Sequence, residues 1–187
     1  MKNLAFFILK LFRFKIDLVN IPPETKKCIF VFAPHTSWTD FVIGKLTFVV
    51  MGVKVVFLIK KEMFFFPFNY LLKAVGGYPV DRKNAKKFTD TIADIIRKEK
   101  EIALLIAPEG TRKHVTTWKK GFYYIALKAQ VPIVLCYIDY RSRCGGIGPV
   151  FYPTGDYEKD IVEIQQFFYG MRGRCKGAFY FENYQLS

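Results

Sequence analysis

Short apolar runs alternate along this chain with segments whose apolar positions recur every three or four residues, and the two periods predict strands and helices in turn. Runs rich in β-branched and aromatic residues at about 28–33, 54–60, 102–107, 131–139 and 147–152 predict strands. A further strand is predicted near 13–19, ahead of the turn Ile21-Pro22-Pro23. Helices are predicted at about 39–50, 84–99, 117–129 and 157–169. Ala85, Phe88, Ile92, Ile95 and Ile96 keep helical spacing, as do Trp118, Phe122, Ile125, Ala126 and Ala129, and both stripes read as core. Residues 2–12 are apolar and aromatic but dotted with Lys and Arg, the pattern of a short interfacial helix. Strands alternating with amphipathic helices predict a single α/β layer-type domain over residues 1–187, its mostly parallel sheet flanked by helices.

Composition narrows the partner. The formal net charge is +13, and Phe and Tyr supply 20 and 11 residues, so an anionic partner that accepts aromatic rings is expected. A membrane surface and a nucleic acid both qualify. Lys83, Lys86, Lys87, Lys119, Lys120, Arg141, Arg143, Arg172 and Arg174 could form a phosphate-binding face, but no helix-turn-helix, zinc-finger or RNP pattern accompanies them. The four cysteines have no metal-ligand spacing, so no metal is expected; Cys28 and Cys136 fall in strand-like runs and read as buried thiols of a reducing compartment. No signal peptide is expected, and the span Phe41–Ile59, broken by Lys45, Gly52 and Lys54, reads as a helix and a strand rather than a membrane crossing.

Candidate chemistry begins where the run Cys28–Ala33 ends. Pro34 breaks the strand and delivers His35, one of two histidines, with Asp40 five positions later. Imidazole accepts a proton near neutral pH, and a neighbouring carboxylate fixes its tautomer and supports its cation. Inside one helix a spacing of five turns two side chains about 140° apart. The pair can therefore meet only with His35 in the loop and Asp40 in the first turn of the next helix. Ser37 and Asp40 also fit a capping box, with Ser37 as N-cap. Parallel sheets bind ligands at the carboxyl ends of their strands, which brings the His35 loop and the loop Glu109-Gly110-Thr111-Arg112 to one edge. A local ion pair between Glu109 and Arg112 is the plainer alternative. A hydrolase using Ser37 or Cys28 as nucleophile lacks a Gly-x-Ser-x-Gly elbow, and His114 lies in a basic loop expected to face solvent.

Four segments, taken in order, carry a resemblance: His35-Thr36-Ser37-Trp38-Thr39-Asp40; Gly76-Gly77-Tyr78-Pro79-Val80-Asp81-Arg82; Ala107-Pro108-Glu109-Gly110-Thr111-Arg112; and Val131-Pro132-Ile133-Val134. They closely resemble the four motif blocks of the glycerolipid acyltransferase family, which includes the lysophosphatidic acid acyltransferases. The resemblance implies a glycerol-phosphate acyltransferase-like fold and transfer of a fatty acyl group from a thioester to a lysophospholipid hydroxyl. His35 would be general base, with Asp40 orienting it and no acyl-enzyme formed. Arg112 and Arg82 would bind the anionic head group, Glu109, Gly110 and Thr111 would shape that pocket, and Val131–Val134, chemically silent and read from its residues as a strand entrance, would support the strand and the acyl side of the cleft. No cofactor is implied; acyl-CoA or acyl carrier protein would be co-substrate, and a basic protein suits an acidic carrier. Ala107 stands where an aromatic is common, and Tyr78-Pro79-Val80 also departs from the usual pattern, which leaves a lyso-aminolipid open as acceptor. A basic nucleic-acid-binding domain is the reading from another class.

The block Lys60–Lys73, dense in Phe and bracketed by lysines, either fills the core or meets a bilayer. With residues 2–12 it is expected to dock the protein peripherally on anionic lipids at the cytoplasmic face of a membrane.

Overall fold

The computed structural model describes residues 1–18, 21–80 and 85–179. Six helices are found among them: α1 (Lys2–Leu11), α2 (Thr39–Met51), α3 (Phe68–Ala74), α4 (Ala85–Lys98), α5 (Gly121–Ala129) and α6 (Tyr157–Gln166). The strands are β1 (Lys15–Asp17), β2 (Lys27–Ala33), β3 (Val56–Lys60), β4 (Gly77–Val80), β5 (Ile102–Ile106), β6 (Ile133–Asp139) and β7 (Cys144–Phe151). They form one seven-stranded sheet in the order β1-β7-β6-β2-β5-β3-β4. Every pairing is parallel except β6 with β7. The α/β architecture with a mostly parallel sheet is as the sequence predicts.

The continuous apolar run of β2 has a plain cause. This strand pairs with β5 on one side and β6 on the other, and helices cover both faces, so Cys28 to Ala33 are all buried. One core layer lies between the sheet and α4, α5 and α6, and includes Ile92, Ile96, Phe122 and Ile125. The opposite layer gathers Leu9 of α1 and Ile43 and Phe48 of α2 over Cys28, Phe30 and Cys136. Both predicted stripes are therefore core where their side chains are described. Burial pushes the Cys28 thiol up to about 12, so it is an inert thiol, and all four cysteines are free.

Two elements escape the sequence reading. The short helix α3 keeps Phe68, Tyr70 and Leu71 exposed, so no buried stripe announces it. Strand β4 contains Gly77 and Pro79, residues that argue against a central strand; β4 is an edge strand, where a missing donor costs nothing. The helix expected from 117 begins only at Gly121, although Trp118 is already buried. Among the described residues, no helix is long and apolar enough to cross a membrane.

The sheet register builds the site. Val31 stands opposite Ile106, and Ala33 opposite Tyr137. The loops that follow β2, β5 and β6 therefore leave the sheet side by side at its carboxyl edge.

Candidate active site

His35 sits in the loop after β2 and Asp40 in the first turn of α2, the one arrangement in which a spacing of five lets them meet. His35 Nδ1 lies 3.3 Å from Asp40 Oδ2. The two are close enough to attract as an ion pair but are not aligned as a hydrogen bond, and among the described residues Nδ1 has no hydrogen-bond partner. Nδ1 is buried, which leaves Nε2 as the nitrogen available to a substrate. The ring of Phe32 meets the imidazole edge-on at 5.9 Å.

Asp40 does more than face the histidine. Its Oδ2 accepts the backbone N–H groups of Thr36 and Ser37, each at 2.7 Å, and its Oδ1 accepts the Tyr140 hydroxyl at 2.6 Å. A carboxylate in the first turn of a helix also gains from the positive end of the helix dipole. The expected Ser37 cap is replaced: the helix starts at Thr39, and the contact runs from Asp40 back to the loop. Ser37 Oγ instead accepts from the Thr39 N–H at 3.3 Å.

Glu109 lies beneath this loop. It is 3% exposed, and its two oxygens accept the His35 backbone N–H at 3.2 and 3.1 Å. Burial pushes its carboxyl up to about 8; the His35 N–H draws it partly back, and the nearby Asp40 charge raises it again. Glu109 does not line the cavity described below; its contact is with the histidine backbone, from behind. It makes no ion pair with Arg112, which is exposed.

A cavity of about 890 Å³ opens beside the pair, with His35, Asp40, Gly110, Thr111, Arg112 and Lys119 in its wall. Asp40, Gly44, Thr47 and Met51 line it along one face of α2, a run of about 16 Å at 1.5 Å per residue. Phe32, Phe48, Phe57, Leu58, Phe122, Ile138 and Ile147 make the rest largely apolar. Gly110 has φ +66°, and a Cβ there would meet the Lys119 side chain at 2.7 Å, so glycine lets this lysine cross the loop closely. Lys45 also reaches the wall, its ammonium 5.5 Å from the Phe57 ring centre, and burial holds it below the usual lysine range.

The sequence-predicted residues separate accordingly. His35, Asp40, Gly110, Thr111 and Arg112 share the cavity, Glu109 supports it, and Arg82 lies outside the described residues. Val131 to Val134 sit at the amino end of β6 and do not line the cavity; Cys136, Tyr137 and Ile138 of the same strand do. Sequence reasoning missed Tyr140. Its signal was a polar residue just past the carboxyl end of a central strand, on the edge that carries His35.

Residues 15–139 match the Acyltransferase family model, and the chain belongs to that family. It is 29% identical over 157 residues to human 1-acyl-sn-glycerol-3-phosphate acyltransferase beta, an alignment covering 81% of this chain and 55% of that protein. It is 36% identical over 81 residues to the 1-acyl-sn-glycerol-3-phosphate acyltransferase of Cocos nucifera, covering 40% of this chain and 26% of that protein. The chain thus spans about half the length, or less, of these curated relatives. The crystal structure of the 1-acyl-sn-glycerophosphate (LPA) acyltransferase PlsC from Thermotoga maritima shares the fold, with a TM-score of 0.62 over 89% of this chain and 74% of that one at 17% identity.

Proposed function

We propose that this protein transfers a fatty acyl group from an acyl thioester to the free hydroxyl of a 1-acyl-glycerol-3-phosphate-like lysophospholipid at a membrane surface. The observation that carries the reading is the His35–Asp40 pair at the wall of a long apolar cavity that also bears exposed Arg112 and Lys119. The names of the relatives support the same acceptor class.

In this mechanism His35 Nε2 takes the proton of the acceptor hydroxyl as that oxygen attacks the thioester carbonyl carbon. The C–S bond then breaks, and the imidazolium returns the proton to the departing thiolate. No acyl-enzyme forms. A lipid hydroxyl is too weak an acid to ionise unaided, and a positioned base contributes typically about 10²–10⁴ in rate. Asp40 holds the imidazole and offsets its charge, which is possible because Oδ2 faces Nδ1. Arg112 offers a planar fork to the acceptor phosphate, with Lys119 as a second cation beside it. The apolar wall takes hydrocarbon. Acyl-CoA or acyl carrier protein serves as co-substrate; no cofactor takes part.

Exposed rings on the surface support membrane contact. Leu4, Phe6, Phe7, Leu11 and Phe12 of the α1 region are exposed, as are Phe65, Phe66, Phe68, Tyr70 and Leu71 around α3. Trp38 is exposed within the His35–Asp40 loop itself, at 66%. Rings left in water at this density are a cost that a bilayer removes, and Lys60, Lys61 and Lys73 can meet lipid phosphates. Peripheral docking on the cytoplasmic face would bring the cavity to its lipid substrate. The deciding experiment offers purified protein a panel of lysophospholipids and lyso-aminolipids with both donor types and identifies products by mass spectrometry. Formation of a diacyl phospholipid that His35→Ala abolishes is expected; no acylated product from any lysophospholipid would refute the reading.

A further inference from the structure

The geometry points to Tyr140 as a positioning residue of the proposed reaction: its hydroxyl, carried from beyond the end of β6, locks the Asp40 carboxylate in the rotation that keeps Oδ2 on His35. The inference rests on the reading of His35 as base and Asp40 as its support.

Asp40 is 1% exposed, so each of its oxygens needs donors. Oδ2 receives the N–H groups of Thr36 and Ser37, which belong to the same loop and move with it. Oδ1 receives the Tyr140 hydroxyl at 2.6 Å from a residue 100 positions away in sequence. Among the described residues this contact ties the carboxylate to the sheet rather than to its own loop. Donors on both oxygens fix the plane of the group; without the phenol, Oδ1 is a buried acceptor free to turn toward another donor. The His35 Nδ1 contact is the one that would suffer, since at 3.3 Å it is already out of hydrogen-bond alignment.

Tyr140 is itself held for this task. Its ring stands edge-on to Phe14 at 5.2 Å, and its backbone N–H donates to the Arg172 carbonyl at 2.9 Å. Asp139 accepts the Arg172 N–H at 2.9 Å, so the segment that anchors Tyr140 is pinned in turn. A phenol has one hydrogen. Here it goes to Asp40, while the Thr39 hydroxyl, 3.1 Å from the tyrosine oxygen, also lies within 3.0 Å of Ser37 Oγ, to which it donates. Arg174 steadies that threonine by donating to its Oγ1 at 2.8 Å. Burial, and then the bond to Asp40, raise the Tyr140 hydroxyl above the usual phenol range, so it stays a donor. Tyr140 is not among the residues lining the cavity, which makes its role one of positioning and not of substrate contact.

The test uses the full chain and two readouts. The first is the rate at which diethyl pyrocarbonate modifies His35, resolved by mass spectrometry, with exposed His114 as internal reference. Tyr140→Phe, which removes only the hydroxyl, is expected to slow His35 modification about threefold to tenfold, the reach of one hydrogen bond, and to leave His114 unchanged. The second is turnover of acyl-CoA and 1-acyl-glycerol-3-phosphate. There kcat should fall by a similar factor while the KM of each substrate stays within about twofold, as expected when alignment and not binding is lost. Tyr152→Phe removes a phenol hydroxyl that bonds Glu24 instead of Asp40, and it should leave the His35 rate intact. An unchanged or faster His35 rate in folded Tyr140→Phe overturns the inference. Because modification needs no turnover, it decides the role of Tyr140 even if the protein acylates neither substrate, an outcome that would count against the proposed reaction alone.

Discussion

Glu109→Gln should remove most of one strong pH dependence of stability. Glu109 is buried, faces the His35 N–H with both oxygens, and among the described residues makes no ion pair; burial pushes its carboxyl from the ordinary 4.5 up to about 8. Between those values the folded protein keeps a proton that the unfolded chain has released. Stability from this group is therefore complete below about pH 4.5, declines as pH rises through the window, and is flat above about pH 8. Each unit of pH removes up to about 1.4 kcal/mol, and the whole window removes a few kcal/mol. Glutamine keeps a carbonyl for the His35 N–H and cannot ionise. Urea denaturation of both proteins at pH 5, 6, 7, 8 and 9 measures the effect, and other titrating groups cancel in the difference. The variant should gain on the wild type by roughly 2–4 kcal/mol between pH 5 and pH 9. Parallel stability curves would refute the claim that Glu109 carries a buried, strained proton equilibrium.

Other outcomes follow from the same geometry. His35→Ala and Asp40→Ala should each lower transfer by at least about 10² while circular dichroism shows a folded protein; wild-type rates in folded His35→Ala would contradict base catalysis. Arg112→Ala should raise the acceptor KM about tenfold or more and leave the donor KM near its original value, because a charge-assisted contact to phosphate is lost. Charging the exposed rings with Phe65→Asp and Phe66→Asp should weaken flotation with anionic vesicles; equal binding to neutral and anionic vesicles, unchanged by these substitutions, would dismiss the docking surface.

Much of the site was legible because its key constraint is local. A spacing of five, a strand that ends at Pro34 and a helix that starts soon after leave His35 and Asp40 a single way to meet, and they do so at 3.3 Å. The second constraint was topological: a parallel sheet sends the loops after β2 and β5 to one edge, so Arg112 and Gly110 share the cavity with the pair. The chemically silent block Val131–Val134 leads into β6 at the far end of the strand from His35, the strand entrance that its residues suggest.

What the sequence alone determined is what depends on neighbours along the chain: the periods of strands and helices, the buried character of β2, and the loop-then-first-turn placement of the two polar residues. What only the tertiary structure decided depends on sheet order and register. β2 between β5 and β6 puts Glu109 beneath His35 and Tyr140 against Asp40. The edge position of β4 excuses Pro79, and the exposure of the rings around α3 turns a core-like stretch into surface. Hydrogen bonds across 74 and 100 positions leave no periodic trace, because nothing between their ends must change for them to form.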